Sequence, residues 1–260
     1  MKSELVEING AQIYHEVRGS GPPLLLIVGL TGDAGWFQPL SETLAESFTV
    51  VTYDRRGNSR SPRPQCWTST SIAEQADDAA ALLSDLRLDP ALVFGNSLGA
   101  VIALELLVRH PGVARRTIAH EPALYSLFPC AQDLTGFWQA KVATGGPRYA
   151  MTVLTGMNED DVIPGLDPEL VHRVFSNSET LFSMEMPPPL DYAPDVKAVS
   201  GFGPPIIVAA GAETTMFYYG ASRWLAYELG TDLCELPGDH TGFADRPEGF
   251  AAALTPLLEK

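Results

Sequence analysis

One stretch of the chain, Leu92–Ala100, constrains the fold more than any other. It reads Leu-Val-Phe-Gly-Asn-Ser-Leu-Gly-Ala and places a Gly-x-Ser-x-Gly turn between an apolar strand and an apolar helix. Glycines on both sides of the serine let the strand and the helix pass closely without a clash at Cβ. A serine on such a strained turn holds its hydroxyl clear of the backbone, where the helix amides face any developing charge. The pattern therefore predicts that Ser97 is a nucleophile.

The charge balance narrows the range of partners. The chain has 260 residues, with 17 basic and 32 acidic side chains and a net charge of −15. Nucleic acid and anionic membrane surfaces would repel such a protein, so we expect neither as a partner. No apolar run approaches the roughly 18 residues of a membrane span, and the first ten residues lack the apolar segment of a secretion signal. We therefore expect a cytoplasmic protein.

The cysteines indicate neither disulfides nor metal binding. The chain has three of them, Cys66, Cys130 and Cys234, which are widely separated and form no CxxC or Cys/His metal spacing. We expect reduced thiols, no metal and no cofactor. The sequence does not determine the oligomeric state, and a homodimer is one alternative.

The order of predicted elements indicates an α/β fold with a mostly parallel, doubly wound sheet of about eight strands. Two alternating segments flank the turn Asn9-Gly10, which is a strong hairpin signal. Two continuous apolar runs, Leu24–Val28 and Thr49–Tyr53, are typical of buried parallel strands. Further strands are predicted at about 91–94, 116–119, 205–210 and 232–236, and helices at about 37–47, 71–86, 100–108, 222–229 and 247–258.

Residues 123–203 break this regular alternation. They contain many prolines, no clear strand pattern and helix-like segments at about 135–142, 149–154 and 168–182. The block is too long for an ordinary loop, so we predict a helical cap inserted into a core domain formed by residues 1–122 and 204–260. Ten large apolar side chains of the cap are candidates to line a substrate pocket, although packing inside the cap is the simpler role for most. They are Tyr125, Phe128, Phe137, Trp138, Tyr149, Met151, Phe175, Phe182, Met184 and Met186.

A serine nucleophile needs a base, and His240 is the best candidate among the five histidines. It lies in Pro-Gly-Asp-His-Thr-Gly, between the last predicted strand and the last predicted helix. In an open α/β sheet, functional residues collect at the carboxyl ends of the strands, where this loop lies. The alternative is a loop histidine without a special role.

Two carboxylates compete to orient that base. Glu213 follows the strand at 205–210, which is a common position for the acid, but no aspartate stands there. Glu121 directly follows the strand that neighbours the Ser97 strand, and Pro122 disfavours helical backbone at that position. We favour Glu121 and keep Glu213 as the alternative. Two backbone N–H groups, those of Leu30 and Leu98, are predicted to form the oxyanion hole.

Nearly the whole chain resembles the α/β-hydrolase superfamily. The resemblance rests on residues 24–54, the loop Asp54-Arg-Arg-Gly-Asn-Ser, the turn around Ser97 and the loop that carries His240. The segment Ala-His-Glu-Pro that ends at Pro122 is similar to a subgroup that includes the zearalenone lactonases. In that subgroup the acid is a glutamate after the strand that follows the nucleophile, which implies a triad of Ser97, Glu121 and His240. Val28 stands where many members of the superfamily have a histidine.

Together these observations predict a serine hydrolase that cleaves a small apolar carboxylic ester or lactone through an acyl-enzyme on Ser97. A carbon–carbon bond hydrolase with the same three residues is one alternative, and a catalytically silent ligand receptor is another. A dinucleotide-binding loop at Gly29-x-x-Gly32-x-x-Gly35 is disfavoured, because that fingerprint has one residue between its first two glycines and this chain has two.

Overall fold

Eight strands form a single sheet at the centre of the computed structural model, which describes residues 1–128, 131–201 and 205–259. The strands are β1 Lys2–Ile8, β2 Ala11–Arg18, β3 Pro23–Ile27, β4 Thr49–Tyr53, β5 Ala91–Asn96, β6 Ala114–His120, β7 Ile206–Gly211 and β8 Leu233–Leu236. Their spatial order is β1-β2-β4-β3-β5-β6-β7-β8. The β1–β2 and β2–β4 pairs are antiparallel and the other pairs are parallel. This arrangement confirms the predicted fold class.

Helices connect the strands and cover both faces of the sheet. They are α1 Gln38–Leu44, α2 Ile72–Asp85, α3 Leu98–Arg109, α4 Ala131–Thr155, α5 Leu170–Ser176, α6 Ser178–Thr180, α7 Pro187–Asp191, α8 Val196–Gly201, α9 Met216–Leu229, α10 Gly242–Asp245 and α11 Pro247–Glu259. Short 3₁₀ turns lie at Ala34–Phe37 and Tyr125–Leu127, and a π-helical turn at Leu181–Glu185. None of the helices in the described part of the chain is both long and apolar enough to cross a membrane.

The predicted turn at Asn9-Gly10 is present, and a side-chain cap marks the start of α2. Asn9 and Gly10 have φ of 47° and 75°, which suits the tight turn between β1 and β2. The Ser71 hydroxyl caps α2 by accepting a hydrogen bond from the Glu74 N–H at 3.0 Å. Both features help to define the ends of the elements that surround the sheet.

Alternate residues of the central strands supply the two apolar cores. Leu25 and Ile27 of β3 pack on the face that α2 and α3 cover. Leu24 and Leu26, which point to the opposite face, pack with residues of α1 and α11. Because each face is buried under helices, β3 has the continuous apolar sequence expected of a central parallel strand.

The segment between β6 and β7 contains helices α4 to α8 and, in its described residues, no strand. The proposed cap lies here, and the division of the chain into core and cap stays a prediction, with its boundary at 203–204 outside the described residues. The predicted helices at 135–142 and 149–154 are parts of α4, which is interrupted at Gly146 with φ of 81°. The Cys66 and Cys234 thiols are free, and Cys130 lies outside the described residues.

Candidate active site

The turn at Ser97 has the backbone that the sequence pattern predicts. Ser97 adopts φ of 57° between the end of β5 and the start of α3. A Cβ at Gly95 would lie 2.3 Å from the Gly99 carbonyl oxygen, and one at Gly99 would lie 1.9 Å from that of Ile27. Both distances are far inside van der Waals contact, so the requirement for glycine on either side of the serine is confirmed. A positive φ at a serine stores strain that only the surrounding structure can maintain.

Ser97 and His240 line the same cavity, which has a volume of about 580 Å³. The turn after β3, the ends of β5 and α4, the loop after α4, and α9 and α10 all contribute to its wall. The lining residues are Val28, Gly29, Leu30, Thr31, Trp36, Asn96, Ser97, Tyr125, Leu154, Thr155, Met157, Ile163, Pro164, Leu166, Tyr218, His240, Thr241, Phe243, Ala244 and Asp245. A mostly apolar wall with a few polar groups is typical of a small-molecule site.

Glu121 holds His240 from the side away from the cavity. Its Oε2 lies 2.5 Å from His240 Nδ1, and its Oε1 accepts a hydrogen bond from the Gly211 N–H at 2.8 Å. Glu121 is 0% exposed and adopts φ of 48°, outside the right-handed helical region. Burial raises the pKa of this carboxyl, but the His240 hydrogen bond and the neighbouring groups outweigh burial and lower it overall. The carboxylate is therefore charged at neutral pH and fixes His240 with Nε2 free for the cavity.

Glu213, the alternative acid, lies in the turn after β7 and pairs with Arg246. The two Arg246–Glu213 contacts measure 2.5 and 2.9 Å, and the two side chains are 53% and 56% exposed. The structure therefore brings Glu121 to His240 and brings Glu213 to a surface arginine.

Of the two residues predicted for the oxyanion hole, Leu30 lines the cavity and Leu98 directly follows Ser97, which lines it. Leu98 is the first residue of α3, so its N–H has no partner within the helix. Leu30 lines the cavity in a turn that the Gly32 N–H closes on the Gly29 carbonyl at 3.1 Å. The Arg55 guanidinium donates to the carbonyl oxygens of Gly29 at 2.9 Å and Leu30 at 3.2 Å, on the side opposite the amides.

Arg55 also forms a buried ion pair with Glu185, which the sequence did not reveal. The Arg55 and Glu185 side chains are 1% and 0% exposed, and their nitrogen–oxygen distances are 2.5 and 3.0 Å. Asn58 donates to the same carboxylate at 2.9 Å. The turn that carries Leu30 is thus bound, through Arg55, to the helical segment between β6 and β7. The loop after β4 contributed to the family resemblance, but nothing in the sequence identified Glu185 as the partner of Arg55.

Two further residues, Arg173 and Asn177, link the helical segment between β6 and β7 to the turn after β3. Arg173 of α5 donates to Asp33 at 2.7 Å. Asn177 donates to the Thr31 carbonyl at 2.8 Å, and its Oδ1 accepts from the Ser59 N–H at 2.6 Å. These contacts fix the helical segment to the turn after β3 and to the loop after β4.

His120 lies behind Glu121 and is fully buried, which lowers its pKa to about 4 and keeps it neutral. Its Nδ1 lies 2.9 Å from the Asn96 side-chain nitrogen, and its ring stacks against Phe94. His120 therefore supports the carboxyl end of β6 and does not reach the cavity wall. Of the other histidines, His110 binds Asp77, His172 lies beside Glu159, and His15 is buried in β2.

The predicted pocket residues divide sharply. Tyr125 lines the cavity, whereas the other nine candidates do not. Met151 and Phe175 are buried in the core, and Trp138, Phe182 and Met186 line a separate 260 Å³ cavity. Of the ten candidates only Tyr125 lines the cavity that contains Ser97, which agrees with the expectation that most of them have another role. Within the described residues, no group of three or more potential metal ligands lies together.

Comparison with known proteins agrees with this architecture. A family model described as "alpha/beta hydrolase fold" matches residues 22–154. The uncharacterized hydrolase YraK of Bacillus subtilis is 34% identical over 98% of this chain and 95% of its own length. The structure of the enol-lactonase from Burkholderia xenovorans superposes with a TM-score of 0.77 at 20% identity, covering 99% of this chain and 100% of that one. A thermophilic esterase from Thermogutta terrifontis gives 0.77 at 16% identity, covering 99% and 98%.

The two solved structures share only the fold of this chain, since they are 20% and 16% identical to it. The family model and YraK match its amino-acid sequence as well. The hydrolase relatives support a hydrolase activity. The chain belongs to the α/β-hydrolase family.

Proposed function

We propose that the protein is a serine hydrolase that cleaves a carboxylic ester or a lactone through an acyl-enzyme on Ser97. The observation that carries this proposal is the buried Glu121 carboxylate, 2.5 Å from His240 Nδ1, beside a cavity that both His240 and Ser97 line. A serine hydroxyl needs this combination of base and orienting acid to become a nucleophile at neutral pH.

The chemical steps follow from these roles. His240 accepts the Ser97 proton at Nε2 while Ser97 Oγ attacks the carbonyl carbon, and Glu121 stabilises the resulting imidazolium. The N–H groups of Leu30 and Leu98 stabilise the negative oxygen of the tetrahedral intermediate. The imidazolium then returns its proton to the leaving oxygen, and water releases the acyl group by the same route. Glu121 stays ionised throughout.

The cavity wall supports a small apolar substrate. Leu154, Met157, Ile163 and Leu166 line the side that residues 123–203 provide, and Trp36 and Phe243 line the other. We propose that residues 123–203 act as the cap that selects the acyl and alcohol groups, on a core of residues 1–122 and 204–260. The enol-lactonase and esterase among the structural neighbours are in keeping with an ester or lactone substrate.

The position of Glu121 supports a likeness to the subgroup that includes the zearalenone lactonases. A glutamate after the strand that follows the nucleophile is the feature that this chain shares with them. We propose the same triad here, with Glu121 as the acid, while the cap defines a substrate of its own.

A panel of lactones and p-nitrophenyl esters of increasing acyl length tests the proposal. We expect at least one class to be hydrolysed, and Ser97→Ala to reduce turnover by about 10⁴-fold or more while the circular dichroism spectrum stays unchanged. Ser84→Ala, a substitution at an exposed serine in α2, is the matched control and should keep wild-type turnover. Retention of full turnover by Ser97→Ala would contradict the proposal. A wild-type protein that binds these esters without cleaving them would identify a ligand receptor instead.

A further inference from the structure

Tyr218 lies flat against His240. The two ring centroids are 3.8 Å apart and the ring planes differ by 10°. Tyr218 belongs to the first turn of α9, whose start at Met216 lies six residues before the predicted helix. A parallel stack at this distance restricts rotation of the imidazole, because the ring meets the tyrosine on one face.

The Tyr218 hydroxyl faces Ser97 at the cavity. Burial raises the pKa of this phenol, and hydrogen-bonding contacts with the Ser97 and Tyr125 hydroxyls oppose that effect. The pKa of Tyr125 is raised well above its usual value, first by burial and then by Tyr218. Both phenols therefore keep their protons at neutral pH. Both residues also line the cavity that contains Ser97 and His240.

Three other polar side chains of the cavity wall, those of Asn96, Thr155 and Thr241, are already engaged with protein groups, whereas the Trp36 indole N–H has no partner among the described residues. The Asn96 amide nitrogen lies 2.9 Å from His120 Nδ1 and donates to the His240 carbonyl at 3.3 Å. The Thr155 hydroxyl donates to the Met151 carbonyl at 2.9 Å, and the Thr241 hydroxyl binds Asp239 and Asp245 at 3.0 Å. The Tyr218 hydroxyl, which lies beside Ser97, is thus well placed to turn to a substrate oxygen.

We propose that Tyr218 is a further catalytic residue, whose hydroxyl donates a hydrogen bond to the leaving oxygen of the ester or lactone. This inference rests on the proposed serine-hydrolase function. As the Ser97 Oγ–carbon bond forms and the carbon–oxygen bond breaks, the proton removed by His240 passes from Nε2 to the leaving oxygen. Tyr218 keeps its own proton and stabilises the charge that builds on that oxygen beside the imidazole. The Tyr125 hydroxyl lies beside that of Tyr218, and in this proposal it donates to the Tyr218 oxygen and makes it a stronger donor.

A Tyr218 hydroxyl at the leaving oxygen affects which leaving groups the enzyme favours. A nitrophenolate leaves readily without help, whereas an alkoxide carries a concentrated charge and needs a donor or a proton in the transition state. A donor at the leaving oxygen therefore favours alkyl esters and lactones over activated aryl esters. We infer that the substrate of this enzyme releases an aliphatic alcohol or opens to an aliphatic hydroxy acid.

The test compares esters that share one acyl group and differ only in the leaving alcohol. The values of kcat/KM for p-nitrophenyl, phenyl and ethyl butyrate report the steps up to and including acylation. For Tyr218→Phe, which keeps the stacked ring, we expect about a 10²-fold loss with the ethyl ester and less than about a 3-fold loss with the p-nitrophenyl ester. Tyr125→Phe should lose about 3- to 10-fold with the ethyl ester. Tyr219→Phe, at an adjacent residue that is 36% exposed, is the matched control and should change neither value.

Each outcome is decisive. A loss in Tyr218→Phe that grows as the leaving alcohol becomes poorer supports the assignment. An equal loss with all three esters, as a merely structural tyrosine would give, overturns it, and so does full activity with the ethyl ester. If wild-type protein and all variants fail to cleave any ester or lactone, the serine-hydrolase proposal itself is overturned, and this inference with it.

Discussion

Glu121 and Glu213 end neighbouring strands of the same sheet, yet the structure gives them opposite environments. Glu121 is fully buried, accepts a hydrogen bond from the Gly211 N–H and binds His240. Glu213 is about half exposed and binds Arg246. A carboxylate in a low-dielectric site with fixed donors has a defined direction and charge, whereas a solvated ion pair has little of either. Burial and hydrogen bonding, more than position along the chain, thus distinguish the two candidates for the triad acid.

The largest effect that would test this comparison is the loss of the Glu121 charge. Glu121→Gln keeps the shape of the side chain but offers His240 Nδ1 an amide, so the imidazolium loses its stabilising partner. We expect kcat to fall by about 10⁴-fold, as measured with the best ester or lactone of the panel. A fall of less than about tenfold would remove Glu121 from the triad.

The next largest effect concerns the glycine that holds Glu121 in place. A Cβ at Gly211 would lie 2.5 Å from the Gly238 carbonyl oxygen and 2.8 Å from that of Asp239. Because these atoms belong to the loop that carries His240, Gly211→Ala should displace the base from Ser97. We expect a loss in kcat of about 10²-fold, typical of a displacement near 1 Å. Ala212→Gly, a substitution at the next and exposed residue, should keep most of the activity and serves as the control.

A third prediction concerns the pH dependence of stability. Burial opposes the charge of Glu121, but the His240 hydrogen bond keeps its folded-state pKa below the ordinary value. Such a carboxylate stabilises the fold above its unfolded pKa of about 4.3 and loses that contribution as the pH falls through the lower folded pKa. Thermal unfolding from pH 7 to pH 3 should therefore show a smaller acid-induced drop in Tm for Glu121→Gln than for wild type. Parallel curves would contradict the role of this charge.

The smallest effect is expected at the other carboxylate. Glu213→Gln removes one partner of an exposed ion pair, and solvent screening leaves such a pair little effect on the free energy of unfolding. We expect kcat to stay within about twofold of wild type. If Glu213→Gln were as inactive as the Ser97→Ala variant while Glu121→Gln stayed active, Glu213 and not Glu121 would be the acid that orients His240.

The sequence predicted the sheet well because its central strands carry their own signal. β3, β4 and β5 are short apolar runs bounded by turns, and a strand buried on both faces needs that composition. The ends of elements were harder to predict. β5 extends through Asn96, and α9 starts at Met216 rather than near Ser222, because local pattern is weak where aromatic residues meet a helix terminus.

For the site, too, some features could be predicted from the sequence and others could not. Ser97, Glu121 and His240 each follow a strand or precede a helix, so sheet topology indicated that they would lie at one edge. It put Glu213 at the same edge, and the preference for Glu121 also rested on the family resemblance. The ion pair of Arg55 with Glu185 joins residues 130 positions apart, and the stack of Tyr218 on His240 depends on the path of α9. Contacts of this kind depend on tertiary packing, which no local spacing encodes.

If Ser97 is the nucleophile, it forms a covalent acyl-enzyme with an ester substrate, and that species can be trapped. Glu121→Gln protein, in which deacylation should be slow, is mixed with a p-nitrophenyl ester of the panel, quenched in acid, and analysed by intact and peptide mass spectrometry. We expect a mass increase of one acyl group, located on the peptide that contains Ser97 and absent from Ser97→Ala protein. Release of nitrophenol with no acyl group on Ser97, or with the label on another residue, would contradict it.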